Sequence, residues 1–332
     1  MAIVVDAHSD ILSDILGRRA AGQTEILNST WLPSMDSGGI DVRVLALYSS
    51  PEYLPELALR RALDEVAALY AELDASPRAA LCTTHAEILQ AWRAGKKGFI
   101  LGMEGAEPLG ADLGLLRIFY ALGVRVVGVT HAARNYAGDG AFLVPKRTGT
   151  AGGLSDFGVE LVERAQAMGM LVDVSHLNDP GFWDVVKLST RPIMASHSNC
   201  RALRDEPRNL TDDQIKAVAD TGGFIGINSI NRFVEPPDLP HLLDHLDRLV
   251  RIAGAGHVGL GLDFCHYLLE HKSPVERSGL RKGAYLSVEG LASDHDVPKI
   301  PRMLAERGYA PDAIDMIMGE NFLRVFNAAT GG

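Results

Sequence analysis

The chain has 332 residues, 47% of them hydrophobic and 22% charged, with a formal net charge of -10. That is globular composition with ample material for a large core, and the acidic balance excludes a surface built for non-specific nucleic-acid binding. Three cysteines, Cys82, Cys200 and Cys265, lie far apart with no C-x-x-C pair. A disulfide scaffold and a thiolate zinc site are thereby excluded, and a reducing compartment is expected.

The first residues, MAIVVDAHSDIL, carry no basic segment, and Asp6 and His8 break their apolar run. They read as a strand over 3–7 and not as a signal peptide. No run approaches the roughly 18 apolar residues of a membrane helix, and the closing NAATGG is not a hydrophobic anchor tail. The expectation is a soluble cytoplasmic protein with no membrane or nucleic-acid partner.

A second apolar run covers 42–47, and leucine and alanine at helical spacing predict a helix over 54–73. Thr84 and Glu87 form a capping-box pattern that opens a short helix, which Gly95 stops. A run at 98–103, a helix at 113–122 and a run at 124–129 follow. Residues 134–153 are Gly-rich and irregular. Beyond them helices at 157–168, 179–188, 212–220 and 239–253 alternate with runs at 170–174, 192–195, 223–227 and 258–262. Thr211 with Gln214 is a second capping-box match. Residues 265–296 are again irregular, and 297–307, 311–318 and 320–327 read as closing helices.

The eight runs are rich in Val, Ile and Leu and nearly continuous, as a parallel sheet covered on both faces requires. Eight strands with intervening helices predict a (β/α)8 TIM barrel, one domain over 1–332, with the two irregular stretches lying as loops over its active face. A doubly wound sheet would need a Gly-rich phosphate loop after an early strand, and none is present.

Polar residues stand where the runs end: His8 and Asp10 after the first, Glu104 after the third, His131 after the fourth, His176 after the fifth, His197 after the sixth, Asn228 after the seventh and Asp263 after the eighth. In a barrel these positions converge on one mouth, where such folds place their chemistry. H-x-D on a strand sends both side chains to one face. One strand-end histidine is more often a satisfied polar residue than a ligand. Four histidines and three carboxylates at such ends, however, would be costly to bury without partners. Imidazole with carboxylate suits Zn²⁺ and similar divalent ions. Of the other histidines, His85 falls in a helix's first turn, His241 and His245 read as a solvated helix face, His257 begins a strand, and His266, His271 and His295 lie in the long loop, with His266 a candidate to face the site.

The chain resembles the membrane (renal) dipeptidase family, zinc peptidases of the amidohydrolase-like barrel group. The matching stretches are DAHSD at 6–10, GMEGAEPL at 102–109, GVTHAARN at 128–135, GGLSDFG at 152–158, VDVSH at 172–176, ASHSN at 195–199, PRNLTDD at 207–213, GLGLDF at 259–264 and GENFLRVF at 319–326. The resemblance implies a dipeptidase with two divalent ions, zinc expected: His8 and Asp10 on one, His176 and His197 on the other, and Glu104 bridging. It implies that His131 contacts the substrate near the carbonyl under attack, that Asp263 handles the proton, and that Arg208 grips the substrate's terminal carboxylate. A hydroxide shared by the ions would attack the peptide bond. The resemblance also implies a homodimer and admits a D-residue at the substrate's C-terminal position. The chain departs from the family after Asp263 and Phe264, where Cys265 and His266 replace the usual Asp-Gly. The alternatives are a hydrolase of another small amide or a lactone on the same architecture, and a barrel that serves as a non-catalytic scaffold.

Overall fold

The apolar runs become parallel strands of one sheet that closes on itself. The computed structural model describes residues 2–141, 150–271 and 286–331. Parts of both irregular stretches predicted to cover the active face, 142–149 and 272–285, lie outside the described residues. The strands are β1 (Val5–Ser9), β2 (Val42–Leu47), β3 (Ala79–Leu81), β4 (Lys97–Met103), β5 (Val124–Gly128), β6 (Leu171–Asp173), β7 (Met194–Ala195), β8 (Phe224–Ile227) and β9 (Val258–Leu260). Their order is β2-β1-β9-β8-β7-β6-β5-β4-β3, and a further β2–β4 pairing, Val42 opposite Gly98 through Leu47 opposite Met103, closes an eight-stranded parallel barrel. This is the predicted (β/α)8 architecture. The ninth strand, β3, was not expected. It pairs only with the first residues of β4, outside the closed ring.

Alternation along each strand splits the apolar residues between two layers. Val5, Val42, Val44, Ile100, Val126 and Leu171 share one cluster with Phe322 and Phe326 of the C-terminal helix Asn321–Thr330, which closes the barrel floor. Phe224 meets Phe322 edge to face at 5.6 Å. Leu45, Leu101, Val127, Val172 and Ile225 pack instead with the surrounding helices. Above the floor a small cavity of about 10 Å³ is lined by His8, Glu104 and Asp173 together with Val44, Val126 and Met194. It marks the boundary between the apolar interior and the polar mouth.

Both predicted capping boxes are present: Thr84 with Glu87 opens His85–Arg93, and Thr211 with Gln214 opens Asp212–Asp220. The helices Asp179–Leu188 and Leu239–Ala253 begin and end where expected. The helix predicted over 54–73 starts later, as Ala58–Asp74. Leu54 precedes Pro55 and is extended (φ -93°, ψ 143°), as steric conflict with a following proline demands. Two helices between β1 and β2, Ile11–Ala20 and Leu32–Gly38, were not anticipated.

Candidate metal centre

The strand-end residues meet at one mouth. His8 lies within β1, Asp10 one residue past it, and Glu104 directly after β4. Asp10 sits at the N-cap position of Ile11–Ala20, yet its side chain makes no capping hydrogen bond. An aspartate there normally satisfies a helix N–H. This one is turned away from that task, and its Oδ1 is buried without a protein partner. His176 and Asp263 adopt left-handed backbone (φ 72° and 55°). Such conformations cost about 1–3 kcal/mol in non-glycine residues and concentrate at functional sites.

Glu104 is the hub. Its Oε1 lies 3.0 Å from Nε2 of His176, 3.5 Å from that of His8, 3.6 Å from that of His197 and 3.9 Å from that of His131. His8 Nε2 is in turn 3.9 Å from both Asp10 Oδ1 and Asp263 Oδ1. The His8 and His197 rings stack at 3.7 Å, and the His131 and His176 rings are 4.3 Å apart. Among the described residues three sets of donor atoms fall within 4.8 Å of one another: His8, Glu104 and His197; Glu104, His131 and His176; and His8, Asp10 and Asp263.

Burial drives the electrostatics. It pushes the imidazole of His8 down to about 3 and those of His176 and His197 well below the usual histidine range, aided by the nearby Arg208 charge. All three rings are therefore neutral and offer lone pairs. Burial, followed by carboxylate neighbours, raises Asp10 to about 7 and holds Glu104 and Asp263 well above the carboxylate range. Buried carboxyls in mutual repulsion, beside neutral imidazoles, form a site whose charge a cation would balance. The orphaned His8 Nε2 and Asp10 Oδ1 point to the same need. Imidazole and carboxylate donors without thiolate fit zinc and related divalent ions.

The side chains also differ in access. His8, Asp10, Glu104, His176 and His197 are 1–9% exposed, whereas Asp263 is 14% and His131 26% exposed. His131 and Asp263 are thus the most open of these side chains, whereas Arg208, also expected to grip substrate, is buried. Asn228 donates to Asp263 Oδ2 at 3.0 Å, which gives the seventh strand-end residue a role. Arg208 is 3% exposed and is no surface ion-pair residue. Its Nη1 and Nη2 donate to Ser198 Oγ (2.7 Å) and the His197 carbonyl (2.6 Å), and its Nε is buried without a partner.

One other expectation, on His245, needs correction. His245 is not on a solvated face: it is 1% exposed, and its Nδ1 accepts the Cys200 N–H at 3.0 Å. Neutrality suits that acceptor role, and burial lowers its pKa to about 4. His266 is exposed, while its neighbour Tyr267 is buried. The polar groups that support the mouth were missed. Asp6 accepts the Leu262 N–H at 2.9 Å and pairs with Arg43, which also holds Asp294. Asp173, Ser175, Ser196 and Ser198 form a hydrogen-bonded group under His197. A carboxylate inside an apolar run, as at Asp6 and Asp173, was the available signal.

A barrel whose strand ends gather this donor set defines a metal-dependent hydrolase. Comparison with known proteins narrows the class. The family model for membrane dipeptidase (peptidase family M19) matches residues 1–276. The chain is 31% identical over 259 residues to the dipeptidase verJ of Clonostachys rogersoniana, covering 76% of this chain and 61% of that protein. It is 33% identical over 256 residues to a protein from the pqqA 5' region of Klebsiella pneumoniae, covering 75% and 88% of the two. A metallopeptidase of Rhodobacter sphaeroides, solved with a phosphinate mimic of L-Ala-D-Ala, superposes with a TM-score of 0.85 at 28% identity, covering 99% of this chain and 100% of that one. The dipeptidase AC of family M19 gives the same TM-score at 29% identity, covering 100% and 99%. The chain belongs to the membrane dipeptidase family, and it is a metallopeptidase that hydrolyses peptide bonds. Among the described residues no helix is long and apolar enough to cross a membrane.

Proposed function

We propose that the protein is a dipeptidase that uses two divalent ions, zinc in the first instance, and accepts substrates with a C-terminal D-residue. The observation that carries this is the convergence of four histidine Nε2 atoms within 3.0–3.9 Å of one Glu104 oxygen, at the mouth of a barrel of this family. His8 and Asp10 would hold one ion, His176 and His197 the other, and Glu104 both. His131 also lies close enough to Glu104 and His176 to join a ligand set, but its greater exposure favours a substrate role. The ions would supply Lewis acidity and water activated near neutral pH.

The chain's own groups account for the remainder. Arg208 offers its unpartnered Nε–H to the substrate's terminal carboxylate, a charge-assisted bond. A longer peptide lacks a free carboxylate at that point, so short substrates are favoured. His131 donates to the carbonyl oxygen as negative charge develops there, a contact worth about 2.7–4 kcal/mol. Asp263, oriented by Asn228, takes the proton of the attacking water and returns it to the leaving amine. The mimic of L-Ala-D-Ala held by the Rhodobacter sphaeroides relative supports the D-residue reading.

The test is kinetic screening of L-Xaa-L-Xaa and L-Xaa-D-Xaa dipeptides on metal-quantified protein, beside lactones, cyclic amides and acylated amino acids. Turnover of both dipeptide series is expected. Exclusive turnover of lactones or acylated amino acids would replace the reading with the alternative hydrolase.

A further inference from the structure

His197 is held from behind by a chain of buried polar groups. Its N–H donates to Ser175 Oγ at 3.2 Å, and its carbonyl accepts Arg208 Nη2 at 2.6 Å. Its ring Nδ1 lies 2.6 Å from Ser196 Oγ, which lies 2.5 Å from Asp173 Oδ2. The other Asp173 oxygen, Oδ1, accepts two backbone N–H groups, Ser175 at 2.9 Å and Ser196 at 3.0 Å. All of these atoms belong to buried residues.

The protons can be assigned by elimination. Asp173 Oδ1 accepts two backbone N–H groups and Oδ2 faces Ser196 Oγ, and as a carboxylate the group acts only as acceptor. Ser196 has a single hydroxyl proton, and a carboxylate at 2.5 Å claims it over Ser175 Oγ at 3.4 Å. Ser196 Oγ is left to accept, so Nδ1 of His197 must carry the hydrogen. The lone pair is then on Nε2, the atom directed at Glu104. His176 Nε2 stands 2.8 Å from that lone pair and can donate to it.

We propose that Asp173 and Ser196 are positioning residues that lock His197 in its Nδ1–H tautomer, so that Nε2 is presented to a divalent cation. This rests on the ligand reading given above. A hydrogen-bonded partner behind a ligating histidine fixes both ring orientation and tautomer, and its loss typically weakens metal binding about 10–100-fold. The arrangement makes Asp173→Asn a directed reversal. The amide oxygen must stay at the Oδ1 position to serve the two backbone N–H groups. That places its NH₂ against Ser196 Oγ, turns the serine hydroxyl onto His197 Nδ1 and moves the ring hydrogen to Nε2.

Two readouts test it. Long-range ¹H–¹⁵N correlation spectra of the metal-free protein report the His197 tautomer, and competition with a chromogenic chelator reports zinc affinity. In the native protein Nδ1 is expected protonated. In Asp173→Asn the pattern reverses, and zinc binds about 10–100-fold more weakly. Ser196→Ala, which leaves the backbone bonds of His197 in place, loses the fixed tautomer and binds zinc about tenfold more weakly. It decides the matter alone if Asp173→Asn does not fold. A native Nε2–H tautomer, or folded variants with native tautomer and native zinc affinity, would overturn the proposal. If the native protein binds no zinc, the ligand reading falls, while the spectra of the metal-free protein still decide the relay.

Discussion

The floor and the mouth of the barrel are built from the same eight strands and follow opposite rules. At the floor Val5, Val42, Ile100, Leu171 and Phe224 meet Phe322 and Phe326 in an apolar plug. At the mouth, a few residues along the same strands, neutral imidazoles and mutually repelling carboxyls are crowded out of water. The small cavity lined by His8, Glu104 and Asp173 on one side and Val44, Val126 and Met194 on the other is where one rule gives way to the other. Burial stabilises the floor directly, since each apolar group gains by leaving water. At the mouth burial opposes the charged forms, so the donors are held ready by left-handed backbone, Asn228, Arg208 and the serine group rather than by their own contacts. The floor therefore carries stability and the mouth carries function.

Substitutions can separate the two. Glu104→Ala should abolish metal loading and reduce kcat/KM at least about a thousandfold together, because all four imidazoles lose their common partner. Metal analysis and kinetics on one preparation check this. Asp263→Asn should lower kcat by about 10²–10⁴ with metal content unchanged, which separates proton transfer from ligation. Full turnover by this variant would remove Asp263 from the mechanism. Phe224→Ala should do the reverse, costing about 3–5 kcal/mol in chemical denaturation while the folded fraction keeps native metal content and KM. Arg208→Lys should raise KM for dipeptides about tenfold with a smaller change in kcat, since a lysine lacks the planar fork that bonds Ser198, His197 and substrate together. The smallest effect is expected at Thr211→Ala, where loss of the capping bond to Gln214 should cost about 1 kcal/mol and leave activity native.

The legible parts of the sequence were those set by local pattern. The eight barrel strands are nearly continuous apolar runs, and both capping boxes are four-residue signals. β3 escaped notice because Ala79–Leu81 is too short to show a period. Ile11–Ala20 follows β1 after a single residue, so no turn signal separates them. His245 was misread because its i, i+4 partner His241 suggested an exposed pair. It belongs instead to the buried residues of that helix, with Leu242, Leu246 and Leu249. At the mouth, strand-end position brought His8, Asp10, Glu104, His131, His176, His197 and Asp263 to notice together, while Arg208 came only from the family motif. The Asp173–Ser196 pair could not be read, because it depends on register between strands: Asp173 pairs with Met194, which sets Ser196 beside the Asp173 carboxylate.

The most direct test of the central claim is anomalous diffraction at the zinc edge from crystals of the zinc-loaded protein. Two peaks are predicted, one against His8 and Asp10, one against His176 and His197, with Glu104 touching both. A single peak, or peaks away from these five side chains, would contradict the two-ion centre.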